Sequence, residues 1–543
     1  MNETRQDNVA CCPLCPALCG LTLAYNGPDL PRAEVPLQPG QGACPRGTSL
    51  GELMGSFHRL RRCLRRSGER TTEARFADAV AEAARRIDAE GATVILDAAS
   101  LPLEELAAAA EIAAAWPRLQ ICAALAPEDE QMLAGLEASG TTYLADEELA
   151  RCDGLLLIGD PLAANPRCAR GVLDALKANS RMPVVAVDGG GGVSASYASL
   201  PVLCGPGGEL DALRDRQVAA ALEPCRKLGV VIAAAGGRGG IWARVGFEAG
   251  KLASAHRGGV AAQTTGGNAL GAFRAARSLG LCGLAEAMAP GQGANLRAAV
   301  GVDVLALLGW TGPSIAVAAA AMPGVTTGSA DIVFPLALPG EIGGTFLQAG
   351  TRRVTVAALL PPPAGVPAPS ALLRQLAEAA RVKVPAFSGR LPALDRAAAG
   401  EPPEPTRASP PVEPESVALV GARESIHHAD GSLTGAASWQ GQLRPLPELR
   451  VSGADAARMG LAGGDEVEVA TESSSARLRV RVTENVPAGT VAAVETSAAT
   501  RRLTPYVIDS ERNALVSHPA GARVTPKPRA VATVEAGPPR HMV

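Results

Sequence analysis

The chain has 543 residues, with 51 Lys and Arg against 54 Asp and Glu, and a formal net charge of -3. Charges of both signs are interspersed, which argues against a nucleic-acid partner or an anionic membrane surface. No apolar run approaches the roughly 20 residues that cross a bilayer, and the N-terminus does not resemble a secretory signal. We therefore expect a soluble cytoplasmic protein without direct membrane insertion, long enough for three or four domains.

Four cysteines near the N-terminus have the spacing of an iron–sulfur site. Cys12, Cys15 and Cys19 lie within eight residues, and Cys44 follows after a loop. A cubane 4Fe-4S cluster takes one protein sulfur at each of its four irons. Residues 1–66 are therefore predicted to form a 4Fe-4S cluster-binding domain with these four cysteines as the metal ligands.

Other interpretations of the cysteines stay open. Structural zinc sites usually present two separate CxxC pairs, whereas here one pair continues into a third cysteine and a single distant one follows, which favours a cluster over zinc. Two further alternatives are that the thiols bind no metal, or that the cluster has only a structural role in an inert scaffold. Cys11 lies beside Cys12 and could replace it as the first ligand. Disulfides are disfavoured because nothing suggests secretion.

The middle of the chain alternates short apolar runs with Ala-rich helical patterns, which predicts an α/β fold. About eight such units favour two doubly wound parallel-sheet domains over residues 67–385. The predicted strands are 94–96, 119–123, 155–159, 184–188, 202–204, 230–233, 304–309 and 332–336. The predicted helices are 74–87, 103–115 and 147–151.

Loops that follow three of these strands are candidate nucleotide contacts. Open α/β sheets bind ligands at the carboxyl ends of their strands, and a glycine loop before a helix lets backbone amides approach a phosphate. None of the loops is a dinucleotide fingerprint or a Walker loop, so it is their recurrence that favours a nucleotide. The residues are Gly159 and Asp160 after one strand, Asp188 after the next, and Pro206, Gly207 and Gly208 after a third.

The composition changes again towards the C-terminus. Residues 386–414 are rich in Pro and Glu and have no periodicity, which is typical of a linker. Short alternating strands separated by Gly- and Pro-rich turns then predict a small β-barrel over residues 415–530, followed by a tail at 531–543. The predicted barrel strands are 417–420, 449–451, 466–470, 478–482 and 490–494.

Several of these segments together resemble the molybdopterin oxidoreductase superfamily. They are the cysteine cassette with Cys44-Pro-Arg46-Gly47, His58-Arg59-Leu60, the two loops Gly159-Asp160-Pro161 and Pro206-Gly207-Gly208, the sequence TGSADIVFP at 327–335, and the barrel. The resemblance covers most of the chain. It implies a 4Fe-4S cluster beside one or two molybdopterin guanine dinucleotides that carry molybdenum or tungsten.

The resemblance also implies roles for individual residues. The loops after the strands would hold guanine, ribose and diphosphate, and Arg46 would lie between cluster and pterin. Arg423, His427 and His428 stand where members of the family touch the cofactor, although on their own the two histidines would be interpreted as a solvated turn. Asn268, in the glycine-rich segment TTGGNALG, is either an N-cap or a further cofactor contact.

Two departures from the family leave enzymatic activity uncertain. Active members have a Cys, selenocysteine or Ser that ligates the metal in a loop after an early strand. The corresponding region here begins at Cys122, which falls inside a predicted strand and is better interpreted as a core cysteine. Thr500-Arg501-Arg502-Leu503 stands where members often have an Asn that contacts the pterin.

Two branches of the superfamily fit best. One comprises the B subunit of formylmethanofuran dehydrogenase and the alpha subunit of formate dehydrogenase, which implies oxidoreduction of a small C1 substrate, formate or a formyl group. The other is the G subunit of NADH-quinone oxidoreductase, which implies a non-catalytic electron relay or scaffold without molybdenum. Both imply other subunits of a redox complex as partners.

Overall fold

Short elements hold the N-terminal region in place. The computed structural model describes residues 9–24, 32–34, 44–289, 296–311, 315–396, 400–405, 416–429, 431 and 433–527. The elements of the N-terminal region are β1 (Val9–Ala10), β2 (Thr22–Ala24), β3 (Arg32–Glu34) and α1 (Pro45–Gly55). Cys44 is the N-cap of α1, and Pro45 fits the first helical turn because its missing N–H has no partner to lose there. The predicted tail lies outside the described residues.

The first α/β unit begins with a hairpin and continues through alternating helices and strands. Its first group of elements is β4 (Cys63–Ser67), β5 (Arg70–Ala74), α2 (Phe76–Glu90), β6 (Ala92–Asp97), α3 (Leu103–Ala115), β7 (Leu119–Ala124) and α4 (Pro127–Ser139). Helix α2 buries Val80, Ala83 and Ile87, whose spacing places them on one face. The predicted helix at 74–87 and the predicted strands at 94–96 and 119–123 are confirmed.

The second α/β unit follows and is built around parallel strands. Its elements are β8 (Gly154–Ile158), α5 (Pro161–Ala164), α6 (Cys168–Ala178), β9 (Val184–Asp188), β10 (Leu200–Leu203), α7 (Glu209–Leu213), α8 (Arg216–Leu222), β11 (Leu228–Ile232), α9 (Trp242–Ala255) and β12 (Gly259–Ala262). Short 3-10 helices span Asp146–Arg151 and Val193–Tyr197. Strands β8, β9 and β11 are buried at every position, as expected for a sheet covered on both faces.

The chain then returns to the first unit. The elements are α10 (Ala269–Leu279), α11 (Leu284–Met288), β13 (Leu296–Val300), α12 (Val304–Leu308), β14 (Val317–Ala320), α13 (Val325–Ser329), β15 (Ile332–Pro335), β16 (Gly344–Gln348), β17 (Arg352–Ala357) and α14 (Pro369–Ala379). The seven-stranded sheet has the order β5-β4-β15-β14-β13-β6-β7, and the five-stranded sheet has the order β10-β9-β8-β11-β12. The second unit is therefore an insertion between two parts of the first.

One predicted strand is wrong. Residues 304–309 were expected to be a strand, but Val304–Leu308 is the helix α12. Asp303 caps this helix by accepting a hydrogen bond from the Ala306 amide at 3.2 Å, and all five helical residues are buried. A short apolar run that is buried on all sides fits a strand and a helix equally well, so periodicity could not distinguish them.

The C-terminal region is a closed barrel with added helices and a hairpin. Its elements are β18 (Val417–Ala422), α15 (Ser438–Leu443), β19 (Glu448–Val451), α16 (Gly453–Met459), β20 (Glu466–Ala470), β21 (Ser475–Val482), β22 (Thr490–Val494), α17 (Ala498–Arg501), β23 (Tyr506–Asp509), β24 (Ala514–Ser517) and β25 (Ala520–Pro526). The barrel order is β18-β22-β19-β21-β20-β25, closed by pairing of β25 with β18. The predicted α/β fold with two parallel sheets and a small β-barrel is confirmed.

The predicted linker crosses the second α/β unit. Where the structure describes it, its acidic residues meet arginines of that unit: Glu401 pairs with Arg244, and Glu404 lies 2.7 Å from Arg214. The composition that marks the linker therefore also attaches it to the surface. Within the described part of the chain, no helix is both long and apolar enough to span a membrane.

Candidate functional site

The cysteine loop is folded tightly and buried. Cys12, Cys15 and Cys19 are each at most 6% exposed, and the Cys12 amide donates a 2.8 Å hydrogen bond to the Cys19 carbonyl. The TTGG segment, residues 264–267, is hydrogen-bonded to the cysteine loop. The amides of Gly266 and Gly267 donate to the carbonyls of Leu14 and Pro13 at 3.1 and 2.7 Å.

The thiols of the loop lie close enough to act on one another. Burial raises the pKa of Cys12 strongly, and the neighbouring Cys15 and Cys44 raise it further. Burial likewise raises the pKa of Cys15, with Cys19 and Cys44 adding to the effect. Cys11 lies to one side, against Leu18, Phe346 and Val356. Of the two adjacent cysteines, Cys12 is therefore the one that shares its surroundings with Cys15 and Cys44.

A 4Fe-4S cluster fits this donor set chemically. One loop and one helix N-cap supply four soft sulfur donors, the number that a cluster with one thiolate for each iron requires, and Cys12, Cys15, Cys19 and Cys44 would hold it. Across the ranges that the structure describes, no three His, Cys, Asp or Glu residues are arranged to hold a metal ion.

Arg46 joins the cysteine loop to the rest of the protein. Its Nη1 donates to the Ala164 carbonyl at 2.6 Å, and its Nη2 donates to Ala163 at 3.1 Å and to the carbonyl of Glu424. The residue is 7% exposed, and burial lowers its pKa while Cys44 and Cys15 raise it. Arg46 thus lies where the cysteine loop, the second α/β unit and the barrel meet.

Gly267 has little space for a side chain, which gives a testable prediction. A Cβ there would lie 2.7 Å from the Leu18 side chain and 2.8 Å from the Pro13 carbonyl, both in the cysteine loop. Overpacking of this kind costs about 1–3 kcal/mol, so Gly267→Ala is expected to lower the thermal midpoint and the bound iron together. Gly441→Ala is the control, because nothing lies within 4 Å of its Cβ. Equal iron in both variants would contradict the prediction.

Four predicted residues converge on one small pocket. Arg46, Arg423, His427 and His428 line it together with Thr265. The two histidines are 9% and 8% exposed, so their interpretation as a solvated turn is wrong. Burial lowers the pKa of His428 to about 3, and the nearby Arg46 and Arg423 contribute to that shift. Burial also lowers the pKa of His427. Both imidazoles are therefore neutral at pH 7, and each can accept a hydrogen bond.

The predicted nucleotide loops do lie at one edge of the five-stranded sheet. Asp160 accepts hydrogen bonds from the Ser194 amide and hydroxyl at 3.1 and 2.7 Å. Asp188 accepts from the amides of Gly190 and Gly192 at 2.8 and 2.6 Å. Both carboxylates thus already accept hydrogen bonds from the protein. Asp188 orders its own loop, whereas Asp160 ties the loop after β8 to the 3-10 helix at Val193–Tyr197.

The glycines of these loops serve the backbone. Gly159 has a φ of 69°, and a Cβ there would lie 2.1 Å from the Ala233 carbonyl, so only glycine fits. Gly207 also has a positive φ, of 71°, in the turn that begins at Pro206 and leads into α7. The Gly208 amide closes this turn by donating to the Gly205 carbonyl at 2.9 Å.

Asn268 stands at the N-cap position of α10, but its side chain does not cap that helix. Its Nδ2 donates to the Leu101 carbonyl at 2.7 Å, and its Oδ1 accepts from the Leu347 amide at 2.9 Å. The residue is fully buried. Both described hydrogen bonds of the Asn268 side chain therefore tie α10 to neighbouring segments of the first unit.

Sequence analysis missed a buried arginine that connects the site. Arg450 of the barrel donates to the Gly190 carbonyl at 3.1 Å and to the Arg423 carbonyl at 2.7 Å, and it lies 3.7 Å from Asp160. It thereby links the nucleotide loops to the loop that carries Arg423. The pattern of β19 contains no signal for it, because a charged residue in an alternating strand is normally assigned to the solvent face.

The region of the expected metal ligand contains buried carboxylates. Cys122 is fully buried in β7 against Cys282, as its interpretation as a core cysteine predicts. Beyond it, α4 begins with Glu128 and Asp129, which are 2% and 0% exposed. Arg423 lies 3.0 Å from Glu128 and 3.7 Å from Asp129, so one guanidinium serves both carboxylates.

A second arginine completes this network. Arg501, in the segment where the family often has an Asn, lies 3.3 Å from Glu128 and 3.1 Å from Glu495. The Tyr506 hydroxyl donates to Glu128 and accepts from Arg501. Burial alone would raise the pKa of Glu128, but Arg501 and Arg423 lower it overall. The network therefore joins the first α/β unit to the barrel through charges held out of water.

Asp129 makes stability depend on pH. Burial raises its pKa from 3.8 to about 6 in the folded protein, so folding favours the protonated form. The stability that the protonated Asp129 carboxyl contributes to the fold is fully present below pH 3.8 and is lost as the pH rises through about 6. One pKa unit corresponds to about 1.4 kcal/mol. Between about pH 4 and pH 7, the free energy of unfolding of Asp129→Asn should therefore rise by up to about 3 kcal/mol relative to that of wild type. Denaturation curves at both pH values measure this, and a constant difference would contradict it.

A further cleft lies at the carboxyl ends of the seven-stranded sheet. It is lined by Ser100 after β6, Gly301 after β13 and Ala321 after β14, and Leu14 of the cysteine loop and His428 also face it. The first α/β unit therefore opens towards the same cysteine loop and histidine as the second unit does. Sequence analysis did not find this cleft because β13 and β14 were not predicted.

Comparison with known proteins agrees with this arrangement. Residues 417–529 match the family model described as the molydopterin dinucleotide binding domain. The match identifies the C-terminal barrel and supports a molybdopterin cofactor. Acetylene hydratase from Pelobacter acetylenicus has a similar solved structure, with a TM-score of 0.66 at 12% sequence identity, covering 96% of this chain and 100% of that one. No curated protein matched the chain by sequence.

At 12% identity the structural likeness shows a shared fold. The matched dinucleotide-binding domain agrees with the resemblance to the molybdopterin oxidoreductase superfamily over the C-terminal barrel, residues 417–529. The roles of the individual residues remain predictions.

Proposed function

We propose that the chain is an electron-transfer protein of the molybdopterin oxidoreductase superfamily that works within a larger redox complex. It would hold a 4Fe-4S cluster at Cys12, Cys15, Cys19 and Cys44 and pass single electrons through it. The observation that carries the proposal is that three buried thiols, Cys12, Cys15 and Cys19, lie near the half-buried Cys44, which raises the pKa of each of them. No disulfide joins any of the twelve cysteines, all of which the structure describes, and this suits a reducing compartment such as the cytoplasm.

The electrostatics of the cysteine loop favour a bound group whose positive metal charge offsets the thiolates. Thiolates are costly in a buried site, and the raised thiol pKa values express that cost. Iron in the cluster would offset the charge of the thiolates, and two arginines, Arg46 and Arg167, lie beside the sulfurs. The site therefore suits a group that carries metal charge and exchanges electrons.

The relay role is favoured over catalysis by the region that follows β7. A metal ligand there needs a donor atom free to bind. Glu128 is held by Arg423 and Arg501, and the Asp129 Oδ1, which makes no hydrogen bond, faces the Arg423 guanidinium at 3.7 Å. Cys122 is packed in the core. We therefore derive no catalytic step through a molybdenum or tungsten centre.

Oxidation of a C1 substrate is the second candidate, and the match to the dinucleotide-binding domain favours it. In this alternative formate would be oxidised to carbon dioxide and a proton, with a bound metal–pterin group supplying the two-electron acceptor, and Cys12, Cys15, Cys19 and Cys44 would hold the cluster that supplies one-electron transfer to a partner. A formyl group would be oxidised to the corresponding acid, with water supplying the oxygen. The chain would still act with other subunits.

One experiment separates the two functions. The anaerobically purified protein is assayed for molybdenum, tungsten and released guanine nucleotide, and for formate oxidation with a viologen dye as electron acceptor. The relay proposal predicts reversible reduction of the protein without formate oxidation. Stoichiometric molybdenum or tungsten together with formate-dependent dye reduction would overturn it in favour of the enzyme.

A further inference from the structure

One loop of the second α/β unit places two side chains against the cysteine sulfurs. The Arg167 Nη1 donates to the Cys19 Sγ at 3.9 Å, and the Cys15 Sγ lies 3.8 Å from the Asn165 Oδ1. Both residues belong to the short connection between α5 and α6. The sequence shows this connection only as the continuation of a nucleotide loop, and it does not indicate that it reaches the cysteines.

The loop is held firmly in this position. Arg46 donates to the carbonyls of Ala163 and Ala164 immediately before it. Within the loop, the Asn165 Oδ1 accepts from the Arg167 amide at 3.1 Å, and the Asn165 Nδ2 donates to Gln263 at 2.7 Å. The backbone that carries Arg167 is therefore fixed relative to Cys19.

The charge of Arg167 is available to the sulfur. Among the residues that the structure describes, no carboxylate forms an ion pair with its guanidinium, whereas Arg170 on the next turn pairs with Asp174 at 2.8 Å. The Arg167 Nη1 donates directly to the Cys19 Sγ, so the positive charge of Arg167 lies against this sulfur.

Hydrogen bonds and positive charge at cluster sulfurs control the reduction potential of an iron–sulfur cluster, because reduction adds one negative charge to it. We propose that Arg167 is a positioning residue that raises the reduction potential of the cluster through its contact with the Cys19 sulfur. This inference depends on the proposed cluster and goes beyond it, since it assigns the control of the potential to a residue outside the cysteine motif.

Redox titration of the anaerobic holoprotein, followed by the EPR signal of the reduced cluster, tests the inference. Arg167→Gln is expected to lower the equilibrium constant for reduction of the cluster at least tenfold. This corresponds to a fall of at least about 59 mV in the reduction potential of a one-electron couple. Arg167→Lys keeps the charge and should recover most of the loss. Arg170→Gln is the matched control, since it removes an arginine that is engaged elsewhere on α6, and it should titrate as wild type. Iron content is measured for every variant.

The outcomes are distinct. A wild-type potential in Arg167→Gln with a full complement of iron would overturn the inference. So would loss of iron from both Arg167 variants, because Arg167 would then be needed for assembly and not for the potential. If Arg167→Gln loses iron and Arg167→Lys keeps it, the reduction potential of Arg167→Lys is compared with that of wild type. A tenfold or larger change in the equilibrium constant for reduction, about 59 mV, would then overturn the inference. Absence of iron from the wild-type protein would instead overturn the proposed function.

Discussion

Cys15→Ser is expected to lose the 4Fe-4S cluster, with bound iron falling well below the roughly four atoms that one cubane needs. Cys15 is 5% exposed, and Cys19 and Cys44 act on its thiol, so its loss removes one of the four neighbouring sulfurs. A serine hydroxyl is a harder donor than a thiolate and suits iron in a cluster less well. Iron, acid-labile sulfide and the EPR signal after reduction measure the loss.

The adjacent cysteines provide the control. Cys11→Ser should keep its iron, because Cys11 packs against Leu18 and Phe346, away from Cys15 and Cys44. Cys12→Ser should lose it. The opposite result, with iron retained in Cys12→Ser and lost in Cys11→Ser, would show that the first ligand is assigned one residue too late.

Arg501→Met is expected to be the most destabilising single substitution in the barrel. It would leave Glu128 and Glu495, which are 2% and 3% exposed, without the guanidinium that lies within 3.3 Å of both. Removing one partner from a buried ion pair costs about 3–5 kcal/mol. Chemical denaturation should show a clear fall in the unfolding midpoint.

An exposed pair gives the comparison. Arg62 lies 2.5 Å from Glu73, but their side chains are 71% and 60% exposed, so Arg62→Met should change stability by no more than about 1 kcal/mol. Adding Glu495→Gln to Arg501→Met should recover part of the loss, because Glu495 then has no ion-pair partner among the described residues, whereas Glu128 keeps Arg423. If the two arginine variants are equally stable, the buried network does not join the barrel to the first unit as described.

The strands and the barrel were predictable because their patterns are local. β8, β9 and β11 are uninterrupted apolar runs, and β20 and β21 alternate strictly. The insertion of the second unit into the first was not predictable, since pairing of β6 with β13 joins residues far apart in the chain, such as Ala92 and Leu296. Short motifs do not report such pairings.

The candidate cluster ligands were predictable from residue type and spacing alone. Arg46, Arg423, His427 and His428 were predicted only through the family resemblance, and in the structure these four line one pocket. The buried ion pairs were not predicted, because Glu128 and Arg501 look in sequence like ordinary charged residues of exposed helix ends. Their role appears only when the start of α4 and the end of α17 meet across the interface with the barrel.

The central claim is that the cysteine loop holds a 4Fe-4S cluster, and metal analysis of the anaerobically purified protein tests it most directly. The account predicts about four irons and four acid-labile sulfides per chain, with an EPR signal that appears on reduction. One zinc per chain without iron or labile sulfide would contradict it.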